Sequence, residues 1–194
     1  MIFATIDNGT YNTFLKKSDL PDVMVLKMDR SPAKLYNDIL DKVKDRYVCF
    51  IHSDVACKGL REAITQTIPD RPNCLIGAVG VNNGLYWSRK EILFDLITCD
   101  SCCVVIDQEM NLRFDDQLFN EYHLYIEDIC MLAREKGFGV TTMYIDGFEQ
   151  RKTFKTDRYF IHHSYTLNRL GCSWGNYNRY RALLGKKWPN VQTT

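Results

Sequence analysis

Long apolar runs are absent: no stretch approaches the roughly 20 residues that a membrane-crossing helix needs. The first residues also lack the basic segment followed by an apolar one that marks a secretory leader. Proline is scarce, five residues in 194, and no low-complexity tract, internal repeat or domain boundary interrupts the chain. Net charge is almost nil at +1. Together these absences argue against a membrane span, a secreted scaffold and a solenoid. The expectation is one soluble domain over residues 1–194, standing alone or forming part of a longer multidomain protein, with a cytoplasmic location. Hydrophobic residues make up 45% and charged residues 25%, enough for an apolar core of ordinary composition.

Cysteine is not scarce: there are eight. Cys49, Cys74, Cys102, Cys103 and Cys130 lie in apolar stretches, where a thiol serves as a small hydrophobe. Disulfides are not expected in a reducing compartment. Cys99 and Cys102 form a lone CxxC, without the second pair that a structural zinc site requires.

The small net charge hides an asymmetry. Residues 151–194 carry +8 and residues 1–150 carry −7. Such a basic end suits a phosphate-bearing ligand, an anionic surface or nucleic acid, and equally a solvated basic helix.

Periodicity alternates between strand and helix. Met1 to Ile6, Val23 to Met28, Tyr47 to Ile51, Cys74 to Val81, Cys102 to Ile106 and Val140 to Ile145 read as strands. Ser31-Pro32 opens a helix, with Ser31 as N-cap and Pro32 in the first turn. Leu60 to Ile68 reads as a second helix broken by Pro69 and Pro72. A third runs from Tyr122 to Lys136 and stops at Gly137. Residues 147–170 read as an ordered loop, and Tyr177 to Leu184 as a last helix before Gly185. This alternation predicts an α/β fold with a largely parallel sheet.

The most informative segment is YVCFIHSDV, residues 47–55. Its apolar run is that of a strand buried on both faces. Side chains two apart share a face, so His52 and Asp54 converge at the strand's carboxyl end, where open α/β sheets bind ligands. An imidazole and a carboxylate there suit a divalent ion such as Mn²⁺; a capped turn is the plainer alternative. Asp7, Asn8 and Asp29 follow the first two strands. Glu127 and Asp128 fall early in the third helix.

The order of these motifs resembles the small GT-A-fold nucleotide-sugar glycosyltransferases, of the family-2-like kind found in bacteria and in chloroviruses, the large DNA viruses of algae. The stretches that carry the resemblance are the opening strand, SPAKLYNDIL at 31–40, YVCFIHSDV at 47–55 and LIGAVGV at 75–81. CDSCCVVID at 99–107, RFDDQLFNEYHLYIEDICMLAREKGF at 113–138, IHHS at 161–164 and a closing KKW complete the series. The resemblance implies a Rossmann-like α/β/α sandwich with a central mixed sheet. It also implies a metal-dependent enzyme that moves a hexose from a UDP-sugar to a saccharide acceptor, without nucleic acid, in the host cytoplasm if the protein is viral.

By position, Asp29 matches the acid that bonds the uracil ring, and Thr5 and Asp7 border the same pocket. Asp54 matches the last acid of the Asp-x-Asp motif that holds Mn²⁺ or Mg²⁺ on the donor diphosphate. His52 replaces the first acid, to coordinate the ion or to orient the donor. His162 or His163 would add a ligand; adjacent strand residues point oppositely, so only one can reach. Asp128 matches the general base of inverting members, with Glu127, roughly 100° around the helix, as its competitor. Asp100 would meet donor-sugar hydroxyls or cap a turn. Arg158 and Lys155 are candidates for the diphosphate, and Tyr86, Trp87 and Trp174 for sugar stacking or the core.

Two other classes compete. A zinc nucleobase deaminase needs His-x-Glu and Pro-Cys-x-x-Cys, where this chain has Asp54 and Thr98. A non-catalytic nucleotide-sugar or glycan-binding module would keep donor binding and lack transfer.

Overall fold

The computed structural model describes residues 1–20, 22–121, 123–149, 158–163 and 174–193. In chain order, the first half holds β1 (Ile2–Asp7), β2 (Val23–Lys27), α1 (Pro32–Lys42), β3 (Tyr47–Ile51), β4 (Val55–Lys58) and α2 (Leu60–Asp70). The middle comprises β5 (Cys74–Gly77), β6 (Val79–Val81), β7 (Leu85–Trp87), β8 (Thr98–Cys99) and β9 (Cys103–Asp107). Then come α3 (Tyr125–Glu135), β10 (Gly139–Thr141), β11 (Asp146–Glu149), β12 (Tyr159–His162) and α4 (Trp174–Lys187).

Six strands form the central sheet in the order β10-β5-β9-β3-β1-β2. All run parallel except β9, which is antiparallel to its neighbours β3 and β5. That reversal matters for the site. The start of β9 lies at the same edge as the ends of β1 and β3, so the segment before β9 meets the loops that follow them.

Strand side chains alternate between two cores, as a pleated strand requires. Ala4, Val48, Phe50, Leu75 and Val104 face α1, α3 and α4, where Tyr36, Ile129 and Tyr180 are fully buried. Phe3, Cys49, Ile51, Ile76 and Val105 face α2 and the small sheet, meeting Leu60, Ile64 and Phe160. Phe50 stacks on Tyr36 at 4.0 Å between centroids. An aromatic side chain so enclosed contributes about 1.5–3 kcal/mol by burial alone.

Helix ends follow their local chemistry. The Ser31 hydroxyl accepts the Lys34 N–H, with Pro32 at the first position of α1. At the end of α3, Gly137 takes φ 84° while Phe138 N–H reaches back to the Ala133 carbonyl at 2.9 Å. This is a Schellman closure, and glycine adopts its left-handed residue without strain.

Four expectations need correction. Cys74 to Val81 is not one strand: β5 stays in the central sheet while β6 leaves to pair with β7 and β8. A Cβ at Gly80 would overlap the Thr98 carbonyl, so glycine is what lets β8 cross there. Val140 to Ile145 is likewise divided, with β10 ending at Thr141. The interval 147–170 holds the end of β11 and all of β12, which pair in parallel with each other. Gly185 lies inside α4 rather than after it.

Candidate functional site

The site is built from the end of β3. His52 N–H donates to the Cys102 carbonyl at 3.0 Å, extending the β3–β9 ladder by one residue. A tight turn follows, with Val55 N–H on the His52 carbonyl at 3.3 Å, and the chain enters β4. β4 then pairs antiparallel with β12, with Val55 opposite His162. This register delivers His162 to Asp54.

The side chains of His52, Asp54 and His162 converge, with one donor atom of each inside a 4.8 Å group. Asp54 Oδ1 is 3.8 Å from His52 Nδ1 and 3.5 Å from His162 Nε2. Neighbouring ligands on one ion, each at roughly 2.0–2.3 Å, stand about 3–3.8 Å apart, so the three atoms already have ligand-like spacing. Asp54 is fully buried and His52 nearly so. Burial holds the His52 imidazole below its usual range, partly offset by Asp54, which favours the neutral form that metal ligation requires. Two imidazoles and a carboxylate form a nitrogen–oxygen donor set able to take a divalent first-row ion.

The neighbouring histidine differs. His163 N–H donates to the Asp54 carbonyl at 3.1 Å, and its ring stacks on Phe14 at 4.1 Å. Only His162 joins the cluster with Asp54.

Asp100 and Cys102 reach the same place from the turn before β9, and with His162 they form a second three-residue group within 4.8 Å. Asp100 Oδ1 also accepts the Cys102 N–H at 2.7 Å, so the carboxylate caps a turn as well as facing the cluster. The loop after β1 closes another side. Ser53 Oγ donates to Asn8 Oδ1 at 2.7 Å and lies 2.9 Å from Thr10 Oγ1.

The other candidates are more dispersed. Asp7 Oδ1 accepts Gly9 N–H at 2.8 Å and Tyr11 N–H at 3.2 Å, anchoring its own turn. Thr5 is fully buried in β1. Asp29, just beyond β2, is exposed and held by Arg30 Nε at 3.1 Å; that bond lowers its carboxyl below the usual range. Arg158 bonds Gln66 on α2 at 2.5 Å. Tyr86 packs on Phe94 with ring centroids 5.0 Å apart. Lys155 and the side chain of Trp174 lie outside the described residues.

Asp128 belongs to a second cluster. It is 1% exposed in the first turn of α3, with Trp188 Nε1 donating to Oδ1 at 2.7 Å and Lys187 Nζ 2.9 Å away. Lys187 also reaches Asp115 at 2.8 Å. Burial raises the Asp128 carboxyl above its usual range, against the lowering effect of Trp188 and Lys187. Glu127 is buried beside it in the chain. Leu124, immediately before α3, takes φ 62°, a costly conformation for a branched residue that fixes where the first turn begins.

Sequence reasoning did not single out Ser53, Asp115, Lys187 or Trp188 as site residues, and it weighed Cys102 only as half of a CxxC with Cys99. A signal existed for two of them: the closing KKW combines a cation with an indole donor, either able to hold a carboxylate. The CxxC pair separates across the sheet. Cys99 lies 3.4 Å from Cys130 in the core under α3, whereas Cys102 belongs to the opposite core. The seven described cysteines form no disulfide.

No protein-family model matches the sequence, and the search of curated proteins finds no match either. Solved structures do match. The S. aureus TarS 1-349 structure in complex with UDP-GlcNAc aligns with 100% of this chain and 68% of its own, at TM-score 0.54 and 12% identity. The same fragment in complex with UDP gives 100% and 67%, TM-score 0.55 and 13% identity. In the longer TarS structure the chain covers 41%, at TM-score 0.54 and 13% identity. At these identities the likeness is one of architecture: the chain has a GT-A-like α/β fold around a central mixed, mostly parallel sheet.

Proposed function

We propose that this chain is a metal-dependent glycosyltransferase that moves a hexose from a UDP-sugar to a saccharide acceptor. The observation that carries the reading is the convergence of His52, Asp54 and His162 at the carboxyl edge of a sheet whose architecture is shared with a protein solved with UDP-GlcNAc. These three residues would hold Mn²⁺ or Mg²⁺, which when bound neutralises charge on the donor diphosphate. Thr5, Asp7 and Asp29, along the first two strands, would border the nucleoside. Asp100 would meet the donor sugar.

Asp128 is the proposed general base. It takes the proton from the acceptor hydroxyl as that oxygen attacks the anomeric carbon, a single displacement that inverts configuration. Its raised pKa suits the role, since a stronger base draws the proton more readily. Lys187 and Trp188 fix the carboxylate in one orientation. Glu127 is the alternative base on the same turn.

One observation favours a second reading. The Asp128–Lys187 ion pair, with Trp188 donating to the same carboxylate, is also what a structural acid would make; a nucleotide-sugar-binding module would retain it. The two readings separate experimentally. In the first, UDP raises the melting temperature only with Mn²⁺, and Asp54→Ala abolishes the shift. Asp128→Asn keeps that shift but loses transfer, by about 10²–10⁴-fold for a general base. Metal-dependent UDP binding without transfer or donor hydrolysis in the wild type would favour the binding module.

A further inference from the structure

We propose that the same cluster contains a second, thiophilic metal site, formed by Asp100, Cys102 and His162, that takes Zn²⁺ and thereby competes with the ion held by Asp54. The donor atoms of these three side chains lie within 4.8 Å of one another. Two features of the backbone build the group. The Asp100 carboxylate accepts the Cys102 N–H at 2.7 Å, setting the turn that brings carboxylate and thiol side by side. The Cys102 carbonyl accepts His52 N–H at 3.0 Å, fixing this turn to the end of β3 beside the first donor set. Cys102 is fully buried and Asp100 half-buried, so an ion there would lose most of its water.

The two sets differ in chemistry. His52, Asp54 and His162 offer nitrogen and oxygen only, which leaves Mn²⁺ acceptable. Asp100, Cys102 and His162 include a sulfur, and a thiolate together with an imidazole selects Zn²⁺ over Mn²⁺ beyond the ordinary affinity order. Binding replaces the Cys102 S–H bond by an S–Zn bond, and the proton passes to solvent; nothing is oxidised or reduced. Both sets draw on His162, and an imidazole serving two ions at once must give up its remaining ring proton. Filling one set therefore disfavours the other, and zinc becomes an inhibitor of whatever depends on Asp54. Cys99 takes no part, because its sulfur is paired with Cys130 at 3.4 Å in the opposite core.

Cobalt(II) titration of the full chain tests this, because cobalt reports sulfur ligation through a near-ultraviolet thiolate charge-transfer band. The expected result is a saturable band in the wild type, lost in both Cys102→Ser and Cys102→Ala, and retained in Cys99→Ser and Asp54→Asn. Thermal melting of each variant serves as the control for a persisting fold. Zinc should displace the cobalt and abolish the band, and Cys102→Ser should weaken zinc binding at least about tenfold, the lower end of the loss seen even for outer-shell partners. A wild type without the band, or a band that survives both Cys102 substitutions in folded protein, overturns the proposal. The cobalt signal does not depend on UDP binding, so failure of the donor-site reading leaves this test intact.

Discussion

At the scale of single residues, Asp128 shows how burial and pairing oppose each other. Its carboxyl is enclosed, which raises its pKa above the ordinary 3.8, and the bonds from Trp188 and Lys187 recover only part of that. A carboxyl raised in the folded state binds more protons folded than unfolded just above pH 3.8, so its contribution to stability falls as pH rises through the raised value. Asn cannot ionise, yet its carbonyl can still accept from Trp188. Urea denaturation across pH should therefore show wild type losing stability relative to Asp128→Asn as pH climbs from 3.8 through the raised value, and no further loss beyond it. A difference that moves the opposite way would show that the ion pair outweighs the burial.

The residue scale also marks where the sequence was legible. His52 and Asp54 stood out because a buried run stops at them, and strand periodicity places them on one face. The choice between His162 and His163 was not open to sequence reasoning. It depends on the register of β12 against β4, a pairing between residues about a hundred positions apart. The grouping of Cys102 with Asp100 and His162, rather than with Cys99, was hidden for a related reason. In isolation it reads as core, and only the reversal of β9 turns it toward the histidines.

At the scale of elements, α1 starts, and β3 starts and ends, where their residues imply, because Ser31-Pro32 and the apolar run 47–51 are strong local signals. β12 gave no such signal: its four residues lie in a polar, aromatic stretch and gain their conformation from pairing with β4 and β11. Splitting of the 74–81 run is likewise a long-range effect, since β6 finds partners in β7 and β8. Gly80 is the point at which this can be tested. A methyl group there meets the Thr98 carbonyl and a Leu96 methyl carbon, backbone and core that cannot easily retreat. Gly80→Ala should cost about 1–3 kcal/mol, the usual penalty for overpacking, read from chemical denaturation. An unchanged midpoint would mean that β8 does not cross β6 as closely as described.

At the scale of the whole molecule, the fold acts as a frame that gathers loops at one edge. Parallel β1 and β3 send Asn8, Ser53, His52 and Asp54 there, antiparallel β9 brings Asp100 and Cys102 from the opposite direction, and β12 closes the group with His162. The small net charge conceals a complementary arrangement, in which Lys187 of the basic C-terminal part meets Asp115 and Asp128 of the acidic remainder. Electron paramagnetic resonance of Mn²⁺ with UDP present tests the central claim most directly. Stoichiometric binding should occur in the wild type and in His163→Ala, and should be lost in Asp54→Ala and His162→Ala. Retention of bound Mn²⁺ in Asp54→Ala and His162→Ala would contradict the account.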